Sequence, residues 1–220
     1  MTSNTPGRHR IQRHKERGHY DPETIHAILD QGKICHVGFH LEGQPFVIPM
    51  AYARQGNALI LHGAPNSRLL RQLAGGMPAC VTVTHLDGLV LARSTFHHSL
   101  NFRSVVAFGT ARPVLSLEEK QAALVALTEH LAPGRTALAR AATDQEAQAT
   151  QVVRFEIEEA SAKIRSGPPL DNPKDVPLDV WAGVVPIHSI EAEPIPAPDL
   201  KPELRTCQPG PTAAVKAPVP

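Results

Sequence analysis

At 220 residues with 42% hydrophobic content, the chain can bury a substantial core, but at 4% aromatic that core must come from Val, Leu, Ile and Ala. Its 22 Lys and Arg against 21 Asp and Glu give a formal charge of +1, which argues against a nucleic-acid-binding face. Cys35, Cys80 and Cys207 form no CxxC pair, so neither a disulfide framework nor a thiolate zinc site is expected, and no run reaches the about 18 apolar residues of a membrane span.

The opening MTSNTPGRHR lacks the apolar centre of a secretory leader, so a cytoplasmic protein is expected. Residues 1–19 read as a flexible arm whose basic run, Arg8 to Arg17, is solvated charge. Asp21-Pro22 then caps and opens a helix with Ile25, Ile28 and Leu29 on one face, and Gly32 ends it. Strands follow over Lys33 to His40, Gln44 to Ala53 and Ala58 to His62, separated by the turns Glu42-Gly43 and Gln55-Gly56-Asn57. Asn66-Ser67 begins a short helix carrying Leu69, Leu70 and Leu73, closed by Gly75-Gly76. Cys80 to Thr84 and Leu89 to Ser94 read as a hairpin around Asp87-Gly88, and Arg103 to Val114 as a long β-branched strand.

Ser116 and Glu119 have capping-box spacing, opening a helix with Leu117, Leu124, Leu127 and Leu131. Ala137 to Ala149 is Ala-rich and predicted helical, and Val153, Phe155 and Ile157 alternate with charges as in a half-buried strand. From residue 191 the prolines dominate, and this tail is expected to be disordered. Hairpin-length connections without a strand–helix–strand repeat predict a mainly β, α+β domain over residues 20–190: an antiparallel barrel with peripheral helices.

Two segments carry chemistry. In His62-Gly-Ala-Pro-Asn-Ser-Arg68 a strand runs through a tight loop into a helix, where unpaired N–H groups, the Ser67 hydroxyl and the Arg68 fork can meet an anion. Gly63 would admit close backbone approach. In Ser94 to Val106, Arg103 and Ser104 stand at the start of an apolar strand, and alternation sends them to opposite faces. His62 is the candidate acid or base, since imidazole titrates near neutrality. His97 and His98 point oppositely on an extended chain and are read as loop residues, not metal ligands, and His36 and His85 as core-edge residues. Trp181 is read as a packing anchor or a cover for a ligand. Lys163 and Arg165 either gather an anionic substrate or are solvated charges.

The blocks CHVGF, VIPMAYA, LHGAPNSRLL, VTVTHLDGLVLARSTFHHSLNFRSVVAFGTA, SAKIRSGPP and VWAGVVP resemble the FMN-binding split barrels related to pyridoxamine 5'-phosphate oxidase, in the branch of the nitroimidazole-resistance proteins. The resemblance runs from about Tyr20 to Pro186. It implies a split β-barrel that forms a homodimer with FMN in the cleft between protomers. By position, Val47, Ile48, Pro49 and Met50 would border the isoalloxazine ring through their backbone, and His62 and Gly63 would lie beside ring and ribityl. Ser67 and Arg68 would hold the phosphate, and Ser104 and Arg103 would contact ribityl or phosphate. The oxidase branch has basic residues where this chain has Phe46 and Ala51, which turns the expectation away from pyridoxamine phosphate oxidation. The function implied is an FMN-dependent oxidoreductase reducing a small acceptor such as a nitroaromatic or quinone. Without a GxGxxG motif, NADH or NADPH would bind only transiently. The alternatives are a flavin carrier or sensor without turnover, or the same fold holding F420 or haem.

Overall fold

A computed structural model describes residues 7–204 of the chain. Cys207 and the prolines from Pro209 onward lie outside the described residues. Among the described residues eight antiparallel strands and four α-helices occur: β1 Gly18–His19, α1 Pro22–Gln31, β2 Ile34–Leu41, β3 Gln44–Gln55, β4 Ala58–Gly63, α2 Arg68–Ala74, β5 Ala79–Leu91, β6 Ser99–Pro113, α3 Leu117–Leu131, α4 Asp144–Gln148, β7 Gln151–Arg165 and β8 Gly183–Pro186. Strands β2 to β7 close on themselves, because β7 pairs with both β4 and β6 while β5 joins β2 to β6. β1 and β8 are additions, on β7 and β5 respectively. The result is the expected antiparallel barrel with helices outside it.

Alternation builds the core. Cys35, Val37 and Phe39 of β2, Leu59 and Leu61 of β4, Val81 and Val83 of β5, Val105 and Ala107 of β6, and Phe155 of β7 turn inward and are buried. Each fully buried Leu, Val or Phe contributes about 1.5–3 kcal/mol of hydrophobic transfer, so aliphatic residues suffice where aromatics are scarce. α1 closes one end with Ile25, Ile28 and Leu29, its first turn capped by Asp21 accepting from the Thr24 N–H at 2.8 Å. A second cluster, with Ile60, Val152, Ala123 and Leu127, fixes α3 on the outer wall.

Three local expectations change. Asp87-Gly88 is not a hairpin turn: β5 runs unbroken through it with a bulge, because β6 pairs along its whole length and β8 pairs with residues 88–91. β6 accordingly starts at Ser99, so Arg103 and Ser104 sit inside it rather than at its start. The Ala-rich stretch from Ala137 to Ala149 is helical only in the five-residue α4, with a 3-10 turn at Arg135–Ala137 at its start, since helix propensity without a broad packing face is weak. The complete capping box belongs to α4, through Thr143 and Glu146.

Residues 7–19, expected to be a free arm, lie along β7. Arg8 pairs with Glu158 and Glu159, His9 meets Glu159 at 2.5 Å, and Lys163 donates to the Arg13 carbonyl. The local basic run therefore finds the acidic end of an alternating strand 150 residues later. Beyond β8, residues 187–204 are largely exposed, with a 3-10 turn at Pro202–Leu204.

Candidate functional site

The site forms where the barrel wall splits. β3 pairs with β2 over residues 44–51, but its pairing with β4 begins only at Tyr52, opposite Leu61. Past that point β4 follows β7, with His62 opposite Val152 and Gly63 opposite Gln151. Among the described residues one edge of β3 over residues 44–51 is therefore left without a strand partner, and its C=O groups and, save at Pro45 and Pro49, its N–H groups require other partners. α2 lies beside this opening, and the Arg68 guanidinium stacks 4.6 Å from the Phe46 ring centre.

On β3, Phe46, Ile48 and Met50 pack against the core, while Val47 and Pro49 face outward. These residues thus present the opening with their backbone more than with a shared side-chain face. The Ser67 hydroxyl caps α2, accepting from the Leu70 N–H at 3.4 Å. Arg68 is exposed and held by the Phe46 ring, which itself stacks on Phe39 at 5.2 Å. Phe46 so gives the cation a seat where a basic residue would repel it. A Cβ on Gly63 would lie 3.0 Å from Leu70, so this glycine is required by the packing of α2.

His62 is half-buried at the split. Its Nδ1 is buried without a hydrogen-bond partner among the described residues, and burial lowers its pKa, favouring the neutral ring. A neutral imidazole with an unpaired nitrogen can accept a proton or hydrogen-bond a ligand.

Val47 to Met50 lie on the stretch of β3 not paired with β4, His62 and Gly63 on the end of β4 past its last pairing with β3, and Arg68, next to Ser67 at the start of α2, reaches β3 through Phe46. Arg103 and Ser104 do not share it as freely. The Arg103 guanidinium grips both Asp87 oxygens, at 2.9 and 2.8 Å, and donates to Gln31. Ser104 turns to the other face and reaches the Lys163 carbonyl at 3.4 Å. Asp87 reads locally as a turn residue and Gln31 carries no local signal, so this use of Arg103 was invisible in the sequence. His97 bonds Ser94 at 2.9 Å and His98 accepts from the Ala92 N–H at 2.9 Å. His85 meets the Ile28 carbonyl at 3.0 Å. Trp181 is 66% exposed and its ring lies over Gly183.

The closed barrel, split at one seam and flanked by helices, defines a split-barrel protein. A family model described as pyridoxamine 5'-phosphate oxidase matches residues 21–164, and the chain belongs to that family. The flavocytochrome Anf3 from Azotobacter vinelandii is 37% identical, with 93% of this chain and 95% of that one covered and a TM-score of 0.86. A FAD and haem binding protein from Mycobacterium smegmatis is also 37% identical, over 84% of this chain and 91% of its own, with a TM-score of 0.81. A candidate 5-nitroimidazole antibiotic resistance protein from Bacteroides thetaiotaomicron shares the fold at 22% identity, covering 70% and 95% of the two chains with a TM-score of 0.55. No curated protein matches the chain.

Proposed function

We propose that this chain is a flavin-binding redox protein and that it holds FAD together with haem. The carrying observation is the partnerless β3 edge at residues 44–51, flanked by His62 and by Arg68 on its Phe46 seat. A planar, hydrogen-bonding ring fits such an edge, and a phosphate fits an exposed guanidinium. The FMN expected from the family resemblance has the same ring and proximal phosphate. FAD is favoured because two proteins 37% identical to this chain are a flavocytochrome and a FAD and haem binding protein.

Haem takes a flat apolar surface and an axial ligand, for which an imidazole is a common choice. The outer face of β2 offers His36 and His40, both exposed, on either side of Gly38. Across from them β3 presents Pro49, Val47 and Pro45. This apolar shelf between imidazoles suits a porphyrin edge, and one of the two would supply the axial nitrogen. Exposed Ile34 and Val47 on the same face, with Trp181 on the β8 segment, favour a homodimer that covers them. Electrons would pass from a transiently bound NADH or NADPH through the flavin to a small acceptor, with the protein supplying position and electrostatics.

The test is the absorption spectrum and released-cofactor mass of purified protein supplied with FAD, FMN and hemin. Flavin bands and a Soret band are expected, with FAD retained. Protein that takes up no flavin overturns the reading, and uptake of FMN alone overturns the FAD assignment.

A further inference from the structure

A second cleft lies at the other end of β7. Thirteen residues separate Val152, beside His62, from Arg165, on the order of 40 Å of extended strand. A cavity of about 330 Å³ opens there between Arg17 and His19 on one side and Ile164, Arg165, Ser166 and Leu170 on the other.

Arg165 is only 6% exposed, yet its acceptors are all uncharged: the Asn101 side-chain oxygen, the Gly167 carbonyl at 3.2 Å and the Pro168 carbonyl at 3.1 Å. Among the described residues no carboxylate pairs with it. Solvated charge at an alternate strand position does not describe this residue. A buried cation without a counter-charge is costly unless something supplies one. A second cation stands beside it. Burial, and after it the Arg17 charge, push the Arg165 pKa down, so the two guanidinium groups are close enough to repel. Glu16, the acid at the cavity, meets Arg17 at 3.6 Å and is shared with His14 at 3.3 Å. Lys163 adds charge on the same strand, held at the Arg13 carbonyl.

We propose that this cavity is an anion site in which Arg17 and Arg165 hold the phosphate or carboxylate group of a small ligand, whose apolar part rests on Ile164 and Leu170. An oxyanion between two guanidinium forks supplies the missing counter-charge with charge-assisted hydrogen bonds. The site stands on its own residues and does not depend on the flavin reading.

The test is calorimetric titration of the full-length protein, as purified, with sodium phosphate and separately with sodium succinate at fixed ionic strength. Saturable binding of at least one anion is expected, and the preferred anion identifies the group. Arg17→Ala should weaken it by at least about tenfold, the loss of a charge-assisted contact. Arg112→Ala, at an exposed arginine on β6, should leave it unchanged. Arg17→Gln, which keeps most of the stem, repeats the measurement if the alanine protein unfolds. Absence of saturable binding by either anion, wild-type affinity in the Arg17 variant, or an equal loss in Arg112→Ala overturns the site.

Discussion

At the scale of single residues, pairing decides which charged groups are free to meet a ligand. Arg103 and Arg68 look alike in sequence, each beside a serine near a strand end. Arg103 is consumed by Asp87 and Gln31, whereas the Arg68 guanidinium rests on a ring and has no hydrogen-bond partner among the described residues. Phe46→Ala should therefore loosen flavin binding without removing a ligand contact, by about 0.5–1 kcal/mol of lost cation–π stabilisation, measured by flavin titration. His62 adds a pH dependence. Its folded pKa is below the ordinary value of 6.5, so the unfolded state binds the proton more readily. The resulting stability is present above the unfolded value and is lost as pH falls through the lowered folded one. Urea unfolding of wild type and His62→Gln at pH 7.5 and about pH 5.5 should show a smaller acid loss in the variant; identical losses would remove His62 from that role. The position of Arg68 was legible because capping, turn and cation fall within seven residues. The fate of Arg103 was not, because its partners lie 16 and 72 residues away.

At the scale of elements, the strands were legible wherever one face is buried and the other is not. β2 and residues 153–158 of β7 alternate cleanly, and Asp21 and Ser116 mark their helices. Asp87-Gly88 misled because a dipeptide that favours turns was overridden by two long-range neighbours, β6 and β8. The seam itself could not be read: it depends on β4 ending its pairing with β3 at Leu61 while its other edge stays paired with β7, a strand about 90 residues later. The β6–β7 contact that closes the barrel has its own requirement. A Cβ on Gly109 would lie 1.9 Å from the Glu156 carbonyl oxygen, at the irregularity where β6 shifts register on β7. Gly109→Ala should therefore lower stability by about 1–3 kcal/mol, as overpacking does, with a lowered urea midpoint as the readout. An unchanged midpoint would mean that the two strands separate at little cost.

At the scale of the whole molecule, the exposed apolar face and the bordering cleft belong together. Val47 is 67% exposed and lies on the strand whose free edge is assigned to the flavin. If a second copy covers this face, Val47→Asp should convert a dimer to a monomer in sedimentation and lower flavin content in parallel. A variant that stays dimeric and fully loaded would separate the interface from the site. Among the described residues no helix is long and apolar enough to cross a membrane. The measurement that bears most directly on the account is the flavin content of wild type and Arg68→Ala after equal exposure to FAD. The cleft predicts stoichiometric flavin in the wild type and a loss of about 1.5–3 kcal/mol in binding when the guanidinium is removed. A wild-type protein that refuses flavin, or an Arg68→Ala protein loaded as fully and as tightly, would contradict it.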